Sequence, residues 1–218
     1  IYAAFADTRE AAFWLDQSGN DNDWQPVNLD HNDTVADSPT DNFATLNPLV
    51  LEGGSLSDGN LSCNVPSDGS KFGSASTIGV TSGKFYCEIV AVDASNVFIG
   101  VMDSSGVNSA KEADSNVGSL GNGVFYRSFN GQTRTLTNGS SADASYGATY
   151  TDNDLIGVAV DIDALEIEFF KNNASQGTAS IPSSSEPYHL MVAGGTGNVT
   201  NNFTANFGQQ PFKYDPPA

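Results

Sequence analysis

The sequence predicts an all-β domain, an antiparallel sandwich or barrel of nine or more short strands. Three observations carry this. Ile156, Val158, Val160 and Ile162 alternate with small or polar residues, and Leu165, Ile167 and Phe169 alternate with Glu166 and Glu168. Such a period of two marks half-buried strands, whereas a helix would place the two glutamates on neighbouring faces and break the apolar stripe. From Asn42 onward, short apolar runs recur with turn residues and no helical window between them. Finally, a composition rich in Gly, Ser, Asn, Asp and Thr favours turns and strands over helices.

Residues 1–41 read as an N-terminal extension or linker. IYAAFADTREAAFW fits a short helix capped by Asp7 with Glu10 closing a capping box, and fits a terminal strand equally well. The following stretch is dense in Asp, Asn, Gly and Pro and reads as irregular backbone anchored by Trp14 and Trp24. Predicted strands then follow at 60–65, 74–80, 84–90, 96–102, 123–129, 155–162, 165–171, 188–194 and 203–208. Turns are expected at Asp58-Gly59, Asp68-Gly69, Ser82-Gly83, Asn130-Gly131, Asn138-Gly139 and Lys171-Asn172-Asn173. The longest irregular stretches are expected at 103–122 and 131–151, where a β scaffold usually carries its binding residues.

Charge narrows the function classes. The 218 residues include 26 acidic and 8 basic side chains, a net charge of −18. Such a chain repels nucleic-acid phosphates and anionic membrane surfaces. No run reaches the roughly 20 apolar residues of a membrane helix, so no membrane insertion is expected. The start lacks a signal-like basic and apolar pattern, and its lack of an initiator Met is expected of a piece of a longer polypeptide. Cys63 and Cys87 sit in strand-like runs and read as buried small hydrophobes, and with only His31 and His189 beside them they make no zinc site.

Several stretches, in order, resemble the SPRY (B30.2-like) domain. SGKFYCEI (82–89) resembles the family's G-K-W-Y-F-E-V strand, and NVFIGVMD (96–103) its following V-G-V strand. NGSSADASYGATYTDNDLIGVAVDID (138–163), IEFFKNNASQGTA (167–179) and ANFGQQPFKYDPP (205–217) resemble its later motifs. Phe85 replaces the family's tryptophan and Asn173 its turn glycine, both mild for the fold. The resemblance implies a jelly-roll-like sandwich of concanavalin/SPRY type over residues 42–218, binding through variable loops. Residues 16–49 also resemble a linker of phage tail and virion proteins that follows a concanavalin-like lectin domain. This implies that residues 1–41 are a linker or the end of such a domain. It also implies a virion-surface module within a homo-oligomer or larger chain, whose partners are a host surface glycan or protein and other virion proteins.

No catalytic constellation emerges. The two histidines are far apart in sequence, and no G-x-S-x-G, H-E-x-x-H or P-loop motif occurs. Glu166 and Glu168 share one strand face, which reads as the solvent side. A non-catalytic adhesion module is therefore expected, with an architectural virion subunit and a glycan-degrading enzyme as rivals. The candidate ligand-binding residues are Tyr126, Arg127, Phe129, Asn130, Arg134 and Tyr146, where aromatic faces suit sugar rings or peptides and polar neighbours fix orientation. The competing reading puts Phe125 and Tyr126 into the core. Asp16, Asn20, Asp21 and Asp23, with Asn22, surround Gly19 and form a candidate calcium site. Their spacing is not that of an EF-hand, and Asx turns are the alternative. No other cofactor is expected.

Overall fold

The computed structural model describes residues 42–51, 54–65, 73–113, 121–194 and 200–217, with Asn20, Asn22 and Val27 ahead of them. The expectations for Asp7, Glu10, Trp14, Asp16, Asp21, Asp23, Trp24 and His31 lie outside the described residues. Among the described residues the strands are β1 (Ser55–Ser57), β2 (Ser62–Val65), β3 (Ser74–Ala75), β4 (Lys84–Asp93), β5 (Val97–Asp103), β6 (Gly123–Arg127) and β7 (Gln132–Thr137). They continue with β8 (Ser140–Ser145), β9 (Asp154–Asp161), β10 (Glu166–Lys171), β11 (Ala174–Ser180), β12 (Tyr188–Gly194) and β13 (Asn201–Asn206). One helix, α1 (Ser104–Ala113), follows β5.

Two antiparallel sheets form a sandwich. One runs β1-β2-β13-β4-β9-β10-β11, the other β3-β12-β5-β6-β7-β8. The alternation read in the sequence supplies the layer between them. Ile89, Ile156, Val158, Ile167, Phe169 and Phe203 from the first sheet meet Val97, Ile99, Val124, Tyr126 and Val192 from the second. Strand β5 departs from simple alternation and is buried throughout. Its outer-face residues, Phe98 and Met102, join Phe125, Leu136, Met191 and Val107 of α1 in a second apolar cluster.

Helix α1 is set by Asp103. Its carboxylate accepts from Gly106 N (2.8 Å) and Ser105 Oγ (2.9 Å) in the first turn, and from Asn122 Nδ2 (2.8 Å) and Ser184 Oγ (2.8 Å) across the fold. Capping satisfies amides that the first helical turn leaves without partners. Burial pushes the Asp103 carboxyl up, but these four hydrogen bonds outweigh it and hold it below the ordinary 3.8.

Several expectations need correction. The stretch 131–151 is largely the β7–β8 hairpin, and 103–122 begins with α1. The predicted strand at 74–80 shrinks to β3, continued only by isolated bridges Leu46↔Ser76 and Val80↔Tyr188. The turn after β10 leads directly into β11, an additional strand exposed along most of its length.

The cysteines are free and buried. Strand β13 lies between β2, which carries Cys63, and β4, which carries Cys87. The two strands are about 9–10 Å apart, and register sets Cys63 level with Ala91, four residues along β4 from Cys87, so the cysteines are too far apart for a disulfide. Burial pushes both thiols up to about 12. His189 is half-buried on β12, its ring nitrogens 2.9 Å from the Ser76 carbonyl oxygen and 3.0 Å from Ser104 Oγ.

Candidate functional site

Of the six candidate residues, Tyr126 faces inward from one sheet and Arg127 and Arg134 face outward, while Phe129 and Asn130 sit in the β6–β7 turn and Tyr146 follows β8. Tyr126 is fully buried on the inner face, where its ring lies 5.0 Å from Tyr150, 5.4 Å from Phe169 and 5.5 Å from Tyr146. Tyr146 is half-buried beside it; its hydroxyl donates to the Gly177 carbonyl and accepts from Phe169 N at 3.2 Å. Desolvation pushes both phenols up to about 12. The two tyrosines therefore belong to the scaffold. Tyr126 offers no surface to a ligand.

Arg127, Phe129 and Arg134 come together on the outer face. Arg134 Nε and Nη2 donate to Asp143 at 2.8 and 3.0 Å, and Arg127 Nη1 donates to the same carboxylate at 2.7 Å. Strand register places Arg134 directly opposite Asp143 and Arg127 opposite Phe98. The Arg127 guanidinium lies 5.1 Å from the Phe98 ring centroid and 4.5 Å from that of Phe129. The Arg134 hydrogen bonds hold the Asp143 carboxyl below the ordinary 3.8 against the opposing effect of burial, and Arg127 adds to the lowering. Burial and the Arg134 charge lower Arg127, whereas Asp143 raises Arg134. Two cations thus share one anion, leaving one positive charge in excess in a chain of net charge −18.

Phe129 is 50% exposed, an uncommon position for a large apolar ring fixed so firmly from beneath. Asn130 sits in the turn behind it, accepting from Gln132 N at 3.2 Å and donating to Gln132 Oε1 at 2.6 Å. Gly131 completes that turn at φ +64°, and a Cβ there would come within 2.2 Å of the Gly147 carbonyl oxygen. Phe129 forms one wall of an open hollow of about 460 Å³, shared with Ser95, Ser128, Thr149, Thr151 and Asp152. Three connections build it: β4–β5, β6–β7 and β8–β9.

These connections are tied down by hydrogen bonds. Asp152 Oδ1 accepts from Ala94 N at 2.8 Å, and Ser128 Oγ accepts from Val97 N at 2.9 Å. Tyr150 N donates to the Ser128 carbonyl at 3.2 Å, and the Tyr150 hydroxyl lies 3.0 Å from the Tyr126 carbonyl oxygen. The result is a preorganised surface: an aromatic platform beside hydroxyls and one carboxylate, a chemistry suited to binding. Sequence reasoning missed Asp143, Phe98, Ser95 and Thr149. A two-residue turn at Asn138-Gly139 fixes the register that pairs positions 134 and 143, so Asp143 was within reach of the pattern. No group of three or more His, Cys, Asp or Glu side chains is arranged to hold a metal among the described residues.

A two-sheet antiparallel sandwich carrying its candidate site on connections at one end defines a scaffold-and-loop domain. Residues 84–210 match the SPRY domain, and the chain belongs to that family. The crystal structure of the SPRY domain of human HERC1 is similar to it with a TM-score of 0.61 at 19% identity, covering 76% of this chain and 99% of that one. A second human SPRY domain structure gives a TM-score of 0.55 at 15% identity, covering 73% of this chain and 98% of that one. The stonustoxin structure gives 0.55 at 19% identity, covering 75% of this chain but 27% of that one. No curated protein matches the sequence.

Proposed function

We propose that this chain is a non-catalytic binding module that recognises a surface glycan or protein through the Phe129 hollow. SPRY domains are generally non-catalytic interaction modules, which supports the class. The observation that carries the site is the Phe129 ring, half exposed yet seated 4.5 Å from a guanidinium that Asp143 and Phe98 hold in place. Ser95, Thr149, Thr151 and Asp152 around it supply donors and acceptors for hydroxyl-rich or polar ligands.

The resemblance of residues 16–49 to a phage virion linker supports the finer reading. In it the module is displayed at a virion surface within a homo-oligomer or larger chain, faces a host cell, and packs beside other virion proteins. Multivalent display would raise a weak single-site affinity. The test is binding of the purified chain to a glycan array and to candidate host cells, in parallel with Phe129→Ala. Loss of binding in a variant whose melting temperature falls by no more than about 4 °C supports the reading. Equal binding by both proteins places the site elsewhere, and no binding by either removes the adhesion role.

A further inference from the structure

The other sheet carries a second surface that the Phe129 hollow does not use. Between the sheets, at the end where β4 begins, an apolar cleft of about 210 Å³ opens to solvent. Phe85 and Ile78 stand at its mouth, 46% and 43% exposed, with Phe43, Val80 and Phe207 beside them. The cleft reaches the core itself: Cys87, Val160 and Leu190 line it and retain 7–9% exposure, where most of their core neighbours have less. Large apolar side chains left open around a concave site mark a place where another molecule docks.

A groove of about 280 Å³ on the outer face of β4, β9 and β10 adjoins the cleft, and Phe85 and Tyr86 line both. Strand register sets its side chains in rows. Lys84, Asp161 and Glu166 lie side by side, and Tyr86, Ala159, Glu168 and Thr178 form the next row. Ala159 contributes only a methyl group, so the floor is low between Tyr86 and Glu168. Tyr86 is held upright by an edge-on contact with Phe212 at 5.0 Å. The buried Glu88 accepts from Lys213 N (2.8 Å) and Tyr214 N (3.0 Å), laying the C-terminal segment along the sheet so that Pro216 and Pro217 form a lip.

The charge of the groove selects the occupant. Asp161, Glu166 and Glu168 face a single cation, Lys84, whose amine lies 3.8 Å from Asp161. Glu168 accepts from Ser175 Oγ, a neutral partner. Glu166 is exposed and has no partner among the described residues. The groove therefore carries a net charge of −2 beside an apolar opening, within a chain of net charge −18. A second copy of the chain, of the same sign, is disfavoured as the occupant of this groove, whatever contacts it makes elsewhere.

We infer that this cleft and groove form a second docking surface, for an extended segment of a partner protein carrying an apolar side chain flanked by Lys or Arg. The apolar side chain enters the cleft at Phe85 and Ile78. The basic side chain lies over Tyr86 and pairs with Glu166 and Glu168, where an aromatic face and carboxylates together favour a cation.

The test is selection of a random dodecapeptide library, displayed on yeast, against the full chain. The expected peptides carry Leu, Ile, Met or Phe within two positions of Lys or Arg. A synthetic copy of the enriched peptide binds the wild type at least tenfold more tightly than Glu166→Lys or Ile78→Ser. It binds Phe129→Ala as it binds the wild type, and it weakens several-fold between 0.05 and 0.5 M NaCl. The Glu166 side chain is exposed and has no partner among the described residues, so its variant keeps the wild-type melting temperature and reports the surface alone. A library that yields no binder, yields acidic sequences, or yields peptides indifferent to Glu166→Lys overturns the inference. Peptides lost only with Phe129→Ala overturn it too, while leaving the Phe129 hollow as a binding site.

Discussion

Tyr126 and Arg127 are neighbours in sequence, yet they have opposite uses. Tyr126 faces the inter-sheet layer and packs with Tyr146, Tyr150 and Phe169. Arg127 faces out and, with Arg134 and Asp143, supports an exposed ring. Residue type alone does not separate them, because both stretches are aromatic and polar. Strand parity does: a period of two sends alternate side chains to a core that must be filled and to a surface that need not be. The inner face maintains the fold, and the outer face presents its chemistry. Mutations can break this division or sharpen it.

The largest effect is expected inside. Phe169→Ala empties a fully buried site at the centre of the aromatic cluster and should cost about 3–5 kcal/mol, read by chemical denaturation. A cost below about 1 kcal/mol would mean that the inner cluster is not what holds the sheets together. Next comes the covered half of the outer face. Asp103→Ala removes the α1 cap and four hydrogen bonds to a buried carboxylate, and should cost about 2–4 kcal/mol.

Asp143→Asn should cost about 1–3 kcal/mol, since it leaves the nearly buried Arg127 without its counter-ion. Both carboxylates ionise below the ordinary 3.8. Each therefore stabilises the fold fully above that value, and its contribution is lost as pH falls through its own lower value. Denaturation of the wild type at a series of pH values should show this loss below about pH 4. In Asp103→Asn and Asp143→Asn the corresponding part of the slope should disappear. The smallest effect on stability is expected at the exposed tip. Phe129→Ala should cost no more than about 1 kcal/mol, the loss of a partly exposed cation–aromatic contact, while abolishing binding.

Much of the seven-stranded sheet was legible in the sequence because it must fill a core. Ile156, Val158 and Val160 on β9, with Ile167 and Phe169 on β10, alternate because one face of each strand is buried. The β7–β8 hairpin was not legible because its outer strand buries nothing. Every residue of SSADAS is exposed, so no apolar alternation marks it, and only the Asn138-Gly139 turn reveals it. Those two residues take φ values of +47° and +83°, which Asn and Gly accept readily. Helix α1 escaped notice because SSGVNSAKEA contains a glycine and, besides Val107 and two alanines, no apolar residue; Val107 joins the outer cluster. At the site, Arg127, Phe129, Asn130 and Arg134 were legible as polar and aromatic residues near a turn. Their partners Phe98 and Asp143 come from other strands, and only strand register brings them together.

If the Phe129 hollow is where this module meets its ligand, binding must protect the connections that build it. The most direct measurement is amide hydrogen exchange of the full chain, with and without the glycan or cell-surface protein recovered in the binding screen. Added protection is expected at Ser95, Ser128, Phe129 and the segment from Thr149 to Asp152, with no change along β10. Protection absent from those residues, or confined to the opposite sheet, would contradict a ligand site at the Phe129 hollow.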